Sequence, residues 1–203
     1  MEVTLSRTPE NQALYAQRFA LWIAIAAMVM MFAGFTSAYI VKKGDAETWV
    51  NFNLPDIFYL STALIVLSSG SMHWAMVSFK RNQMKRYRTL IATTLLLGLG
   101  FIGSQVAGWQ MLGAQGFNLT AEVSADFFYV ISGAHAIHVF GGLVLLLAAW
   151  SGIHGKLKKG TADLMNNPTP EKRKFRVELT ATYWHFVDAL WIYLFIFLLY
   201  NHS

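Results

Sequence analysis

Four stretches of this chain contain no Asp, Glu, Lys or Arg: Phe19 to Val41, Ile57 to Phe79, Thr89 to Ala121, and Phe127 to Gly155. Each holds at least the roughly 20 residues that an α-helix needs to cross a bilayer. A fifth apolar segment, Glu178 to Tyr200, differs from the others in carrying Glu178, His185 and Asp188. The chain is 55% hydrophobic and only 13% charged, against about 25% charged in an ordinary soluble domain. The expected fold is an all-α integral membrane bundle, one membrane domain over 1–203, with helices at about 19–41, 57–79, 90–112, 127–153 and 178–200. The first apolar run exceeds the 7 to 15 residues of a cleavable signal-peptide core and is expected as a retained anchor.

The net charge of +5 invites a nucleic-acid partner, but the basic residues cluster at helix ends rather than on a soluble face. All 16 Lys and Arg except Lys42 and Lys43 fall before the first helix or in the second and fourth connections. The positive-inside rule then puts the N-terminus in the cytoplasm and the C-terminus outside. With no cysteine, disulfides, iron–sulfur clusters and thiolate-bound copper are excluded.

Thr8 with Pro9 reads as a cap and first helical position. Ser68, Ser69, Ser71 and His73 in the second helix read as serine back-bonding and inter-helix hydrogen bonds. In the third, Gly100, Ser104 and Gly108 fall four apart and predict a close packing face, with Gln105 beside it. Gly133 and Gly141 are the corresponding packing candidates in the fourth. Asn118, Leu119 and Thr120 form a glycosylation triplet of the kind that arises by chance. The connection from Gly155 to Phe175, with Pro168 and Pro170, is expected as a basic surface loop.

Intramembrane ionisable groups are costly and need partners. His135 and His138 share a helix face, as do His185 and Asp188, and counting the rise from each end brings both pairs to a similar depth. A single network of His135, His138, His185 and Asp188 is therefore expected at mid-membrane, with Glu178 in the first turn of the last helix, where the helix dipole favours a carboxylate. The alternative for the two histidines of the fourth helix is a haem or copper site, since imidazole suits both metals.

At these residues the chain resembles subunit III of the haem–copper terminal oxidases. The resemblance rests on Glu178 with Tyr183, Trp184, His185, Phe186, Val187, Asp188 and Trp191, and on Gly133, His135, His138, Val139 and Gly141. Ser37, Ala38, Tyr39, Ser68, Ser69, His73, Gln105 and Trp109 extend it over nearly the whole chain. It implies the five-helix form of a non-catalytic subunit in the bacterial inner membrane that binds no redox metal of its own. Its expected partners are subunits I and II, which carry the haem and copper, a small subunit IV or a larger respiratory supercomplex, and phospholipid. Its implied role is to support proton uptake and durability during turnover. Many relatives have glutamates where this chain has Met28 and Gly108, so roles of those carboxylates do not transfer. Two other classes compete. A small b-type cytochrome would use His138 and His185 as axial ligands, and a proton-coupled transporter would use the same ionisable groups, although no internal repeat is evident.

The charge asymmetry makes a direct prediction. A single-cysteine reporter at Lys174 should resist an impermeant thiol reagent added to intact cells, and one at Asn118 should react; the reverse pattern inverts the topology.

Overall fold

The computed structural model describes residues 9–45, 49–50, 52–117, 122–158 and 170–202. They form five helices: α1 (Pro9–Asp45), α2 (Ile57–Lys80), α3 (Met84–Ala114), α4 (Val123–Lys158) and α5 (Pro170–His202). No strand occurs among the described residues, and each helix contains a segment long and apolar enough to cross a membrane. The cap at Thr8, the Asn118 triplet and the loop around Pro168 lie outside the described residues.

The helices outrun the sequence-based spans because an apolar count stops where charges begin, whereas backbone hydrogen bonding continues past the hydrocarbon. Both described ends of the connection expected from Gly155 to Phe175 are helical, since α4 extends to Lys158 and α5 starts at Pro170. Proline suits a first helical position because its missing N–H has no partner there anyway.

Two helix ends close by the same device. After α2, Asn82 has φ 57°; its N–H donates to Phe79 O at 3.0 Å and that of Gln83 to Ser78 O at 2.9 Å. After α3, Gly116 has φ 94°, with Gly116 N–H donating to Gly113 O and Phe117 N–H to Leu112 O, both at 3.1 Å. A left-handed residue followed by these paired bonds is a Schellman cap, which satisfies the last carbonyls of a helix.

Helices α2, α3, α4 and α5 pack in a closed ring, each touching the next and α5 returning to α2, while α1 contacts only α4 and α5. The α1–α5 pair is parallel, as three polar contacts in steady register show. Arg18 lies 4.0 Å from Glu178, Thr36 Oγ1 hydrogen-bonds Tyr193 Oη at 3.2 Å, and Lys43 Nζ donates to Asn201 O. Tyr39, fully buried, anchors the far end of α1 among Trp49, Phe127 and Phe197.

Close approach inside the ring depends on three glycines, of which the small-residue spacing identified one. A Cβ on Gly108 would lie 2.4 Å from Phe58 Cζ, one on Gly98 2.7 Å from Leu143 Cδ2, and one on Gly142 2.9 Å from Trp184 Cε3. The other candidates are looser. Gly100 meets Leu64 at 3.5 Å, Gly141 meets Tyr183 Oη at 3.6 Å, and Gly133 meets nothing within 4 Å. Ser104 is buried, but its hydroxyl bonds back to Phe101 O. Spacing within one helix shows where small residues align; which of them receives a large neighbour depends on the facing helix.

Gly98→Ala should therefore destabilise the bundle by about 1–3 kcal/mol through overpacking, and Gly133→Ala should be near neutral. Thermal unfolding of the purified chain in detergent measures the difference.

Candidate functional site

The ionisable side chains singled out in α4 and in the middle of α5 lie in two separate compartments. The first is aromatic and centred on His135 of α4. This residue is fully buried, and its ring stands 5.0 Å from Trp191, 5.8 Å from Phe101 and 6.3 Å from Phe32, centroid to centroid. Neither ring nitrogen has a hydrogen-bond partner. His138, one turn on, donates from Nδ1 to Ala134 O at 2.7 Å and packs edge-on against Phe32. Tyr183 of α5 donates its hydroxyl to His138 O at 3.0 Å, stitching α5 to α4 at this level.

The second compartment is a cleft of about 350 Å³ between α2 and α5, lined by Ser69, Gly70 and His73 on one side and His185, Asp188 and Ala189 on the other. Ser69 Oγ and His185 Nδ1 share a hydrogen bond of 2.7 Å, and the His73 and His185 rings stand 6.5 Å apart. Asp188 is 2% exposed, and neither of its oxygens has a hydrogen-bond partner. Ser69 is the nearby donor to the carboxyl: when His185 Nδ1–H donates to Ser69 Oγ, the serine hydroxyl is left to turn toward Asp188.

The single network expected of these residues is thus divided. His135 shares its compartment with Trp191, whereas Asp188, three positions earlier on α5, turns toward α2. Direction around each helix separates the two pairs. The proposed axial pair of the cytochrome alternative is not formed, because His138 is committed to Ala134 O and His185 to Ser69 on the other side of α5. Among the described residues, no group of three or more His, Asp or Glu is placed to hold a metal.

Glu178 belongs to neither compartment, and its expected place in a first turn is corrected. With α5 starting at Pro170, Glu178 lies more than two turns inside the helix, so the dipole no longer accounts for it; Arg18 of α1 faces it instead.

Between the compartments, two indoles hold α5 to α2. Trp184 donates from Nε1 to Ser68 Oγ at 2.9 Å, and Trp191 donates to Thr62 Oγ1 at 3.0 Å. Gln105 of α3 donates to Ser61 Oγ at 3.1 Å, and Trp109 donates to Ser132 Oγ of α4 at 3.1 Å. Ser61 and Ser68 of α2 are therefore inter-helix acceptors and Ser71 donates across to Leu90 O, inter-helix hydrogen bonds of the kind expected of the α2 serines. Thr62, Gly98 and Gly142 were not legible as site residues, since nothing in their own segments distinguishes them. At Gly108 the ring of Phe58 occupies the space a side chain would need, and Met28 is buried as an apolar core residue.

The sequence matches the family model described as cytochrome c oxidase subunit III over residues 18–203. The chain belongs to the cytochrome c oxidase subunit III family. It is 31% identical over 176 residues to cytochrome c oxidase subunit 3 of Thermostichus vulcanus, a match covering 82% of this chain and 78% of that protein. Identity to cytochrome c oxidase subunit 3 of Bacillus sp. (strain PS3) is 27%, covering 95% and 90% respectively. Cytochrome bo(3) ubiquinol oxidase subunit 3 of Buchnera aphidicola is 28% identical, covering 90% and 85%. Subunit III proteins are components of terminal oxidase complexes, so the two polar compartments belong to one part of a larger membrane assembly.

The contacts rank the residues energetically. Arg18 and Glu178 meet at 4.0 Å with the Arg18 side chain 56% exposed, a geometry worth about 0–1 kcal/mol. Trp191→Phe leaves Thr62 without its donor and a void beside His135, and should cost about 1–3 kcal/mol. Unfolding of Glu178→Gln and Trp191→Phe side by side should give the larger loss for Trp191.

Proposed function

We propose that this chain is the non-catalytic subunit III of a proton-pumping haem–copper terminal oxidase in aerobic respiration, embedded in a bacterial inner membrane with its N-terminus cytoplasmic. The observation carrying this reading is the family match over residues 18–203 on a chain of five membrane-spanning helices. In this role it packs on subunit I and holds phospholipid, while haem and copper reside on the partner subunits. The named relatives include both a cytochrome c oxidase subunit and a ubiquinol oxidase subunit, and either electron donor is compatible with a subunit that carries no donor site.

The physical contribution of such a subunit is structural and electrostatic. The basic ends at Lys80, Arg81, Lys85, Arg86 and Arg88 favour anionic headgroups at the cytoplasmic surface and shape the field around a neighbouring proton entrance. The His135, His138, Glu178, His185 and Asp188 groups support packing, lipid order and proton supply rather than electron transfer.

Removing the subunit should leave the haem spectra and the first turnover of oxygen reduction intact, while slowing proton uptake and shortening the catalytic lifetime. Single-turnover and sustained oxygen consumption with and without the chain, once subunits I and II are confirmed to remain assembled, distinguish the cases. Loss of the first turnover would reveal a catalytic centre in this chain, and unchanged rate and lifetime would reduce it to an assembly factor.

A further inference from the structure

Lys80, Arg81, Lys85, Arg86 and Arg88 crowd the turn between α2 and α3, and no Asp or Glu occurs between Asp56 and Glu122. The charge of this hairpin is therefore not balanced along the chain. Arg81 and Arg86 are exposed, and among the described residues neither guanidinium is paired with a carboxylate.

The backbone adds to this bias. The carbonyl end of α2 is closed, because the N–H groups of Asn82 and Gln83 donate to Phe79 O and Ser78 O. The start of α3 is open: Gln83 at its N-cap makes no side-chain cap hydrogen bond and no acidic residue stands in the first turn, while the N–H groups of Lys85 and Arg86 have no backbone acceptor. Free first-turn N–H groups at the positive end of a helix attract an anion.

These features meet in one concavity. A pocket of about 310 Å³ is lined by Arg81, Gln83 and Arg86 together with Trp74 and Val77 of α2. Trp74, Val77 and Arg81 fall at i, i+3 and i+7 on a single stripe of α2, so at 1.5 Å per residue Trp74 lies about 10 Å inward of Arg81. Only Arg81, Asn82 and Gln83 separate the membrane segments Ile57–Lys80 and Met84–Ala114, which holds the charged end at the membrane surface. Trp74, 62% exposed, then sits below it, where an indole is suited to the boundary between headgroups and acyl chains. A free phosphate would use the charged end and leave the Trp74 stripe uncovered, whereas a phospholipid uses both.

We infer that the α2–α3 hairpin carries a binding site for the phosphodiester headgroup of an anionic phospholipid, with Arg81, Arg86 and the open start of α3 on the phosphate and Trp74 and Val77 against the first acyl carbons. Guanidinium groups suit this ligand because their paired N–H donors match two phosphate oxygens. The inference rests on the membrane setting of the function proposed above and gives its phospholipid a defined site; it does not depend on which complex contains the chain.

The test is native mass spectrometry of the full chain, stripped of lipid in detergent and offered phosphatidylglycerol, phosphatidylcholine or inorganic phosphate as separate probes. Phosphatidylglycerol should bind most tightly. Arg81→Gln with Arg86→Gln should weaken it roughly tenfold or more, the scale of one charge-assisted hydrogen bond. Lys80→Gln with Lys85→Gln removes the same charge from outside the pocket and should weaken it less than about threefold, as for exposed charges. Without any substitution, phosphatidylglycerol carrying a diazirine near its headgroup should label the stretch from Trp74 to Arg86 in membranes. Equal losses from the two double substitutions, or label confined to other segments, would reduce the hairpin to diffuse surface charge and overturn the site. Inorganic phosphate binding as tightly as the lipid would overturn the lipid assignment in favour of a free anion. Each of these outcomes leaves the oxidase reading standing, whereas absence of a haem-bearing subunit from the complex isolated with this chain would overturn that reading and leave the lipid site.

Discussion

The indole of Trp184 is the point on which the ring of helices depends. It is 1% exposed, donates to Ser68 of α2, and lies against the backbone of Gly98 in α3 and Gly142 in α4. One side chain of α5 therefore contacts the other three members of the ring. Hydrocarbon surroundings give little hydrophobic drive for helices to associate, so packing and inter-helix hydrogen bonds must supply the specificity. Trp184 supplies both, because its large flat surface needs the absence of a Cβ on two neighbours while its N–H needs an acceptor on the third. Trp191, two turns further along α5, repeats the hydrogen bond with Thr62 and forms the wall of the His135 compartment.

This dependence explains what could be read from the chain and what could not. Four of the spans follow from charge-free length and the fifth from an apolar run that carries Glu178 and Asp188, because the bilayer imposes a minimum apolar length on any helix crossing it. The resemblance carried by Tyr183, Trp184, His185 and Asp188 pointed to the family because those residues are unusual in an apolar segment. Gly98 and Gly142 carry no such mark. Their role is defined by a tryptophan on another helix, and only the rotation of α5 brings the two together. The division of the polar groups has the same origin: Asp188 and Trp191 share a helix and neighbouring turns, yet one faces α2 and the other faces His135. Glu178 was misplaced for a different reason, since its assignment to a helix terminus relied on where the charges stop rather than where the backbone bonding stops.

The two compartments answer the cost of buried polarity in different ways. Around Ser69 and His185 the groups of this chain pair with one another. His135 is enclosed by aromatic rings, and its imidazole, without a hydrogen-bond partner, serves there as a flat packing element. Helix α1 follows a third pattern, being apolar over most of its length and tied to α5 by contacts at its two ends and middle, from Arg18 to Lys43.

The parallel pairing of the first and last helices has a consequence for biogenesis. Because α1 touches neither α2 nor α3, it enters the bilayer with no protein neighbour among the segments made directly after it, and its apolar surface must be solvated by lipid until α4 emerges. The tryptophans that unite the ring and the partners of Arg18, Thr36 and Lys43 all reside on α5. Helices α2 and α3 pack directly on each other, so they can pair before α5 is made, and the final segment then fixes α1 and closes the ring.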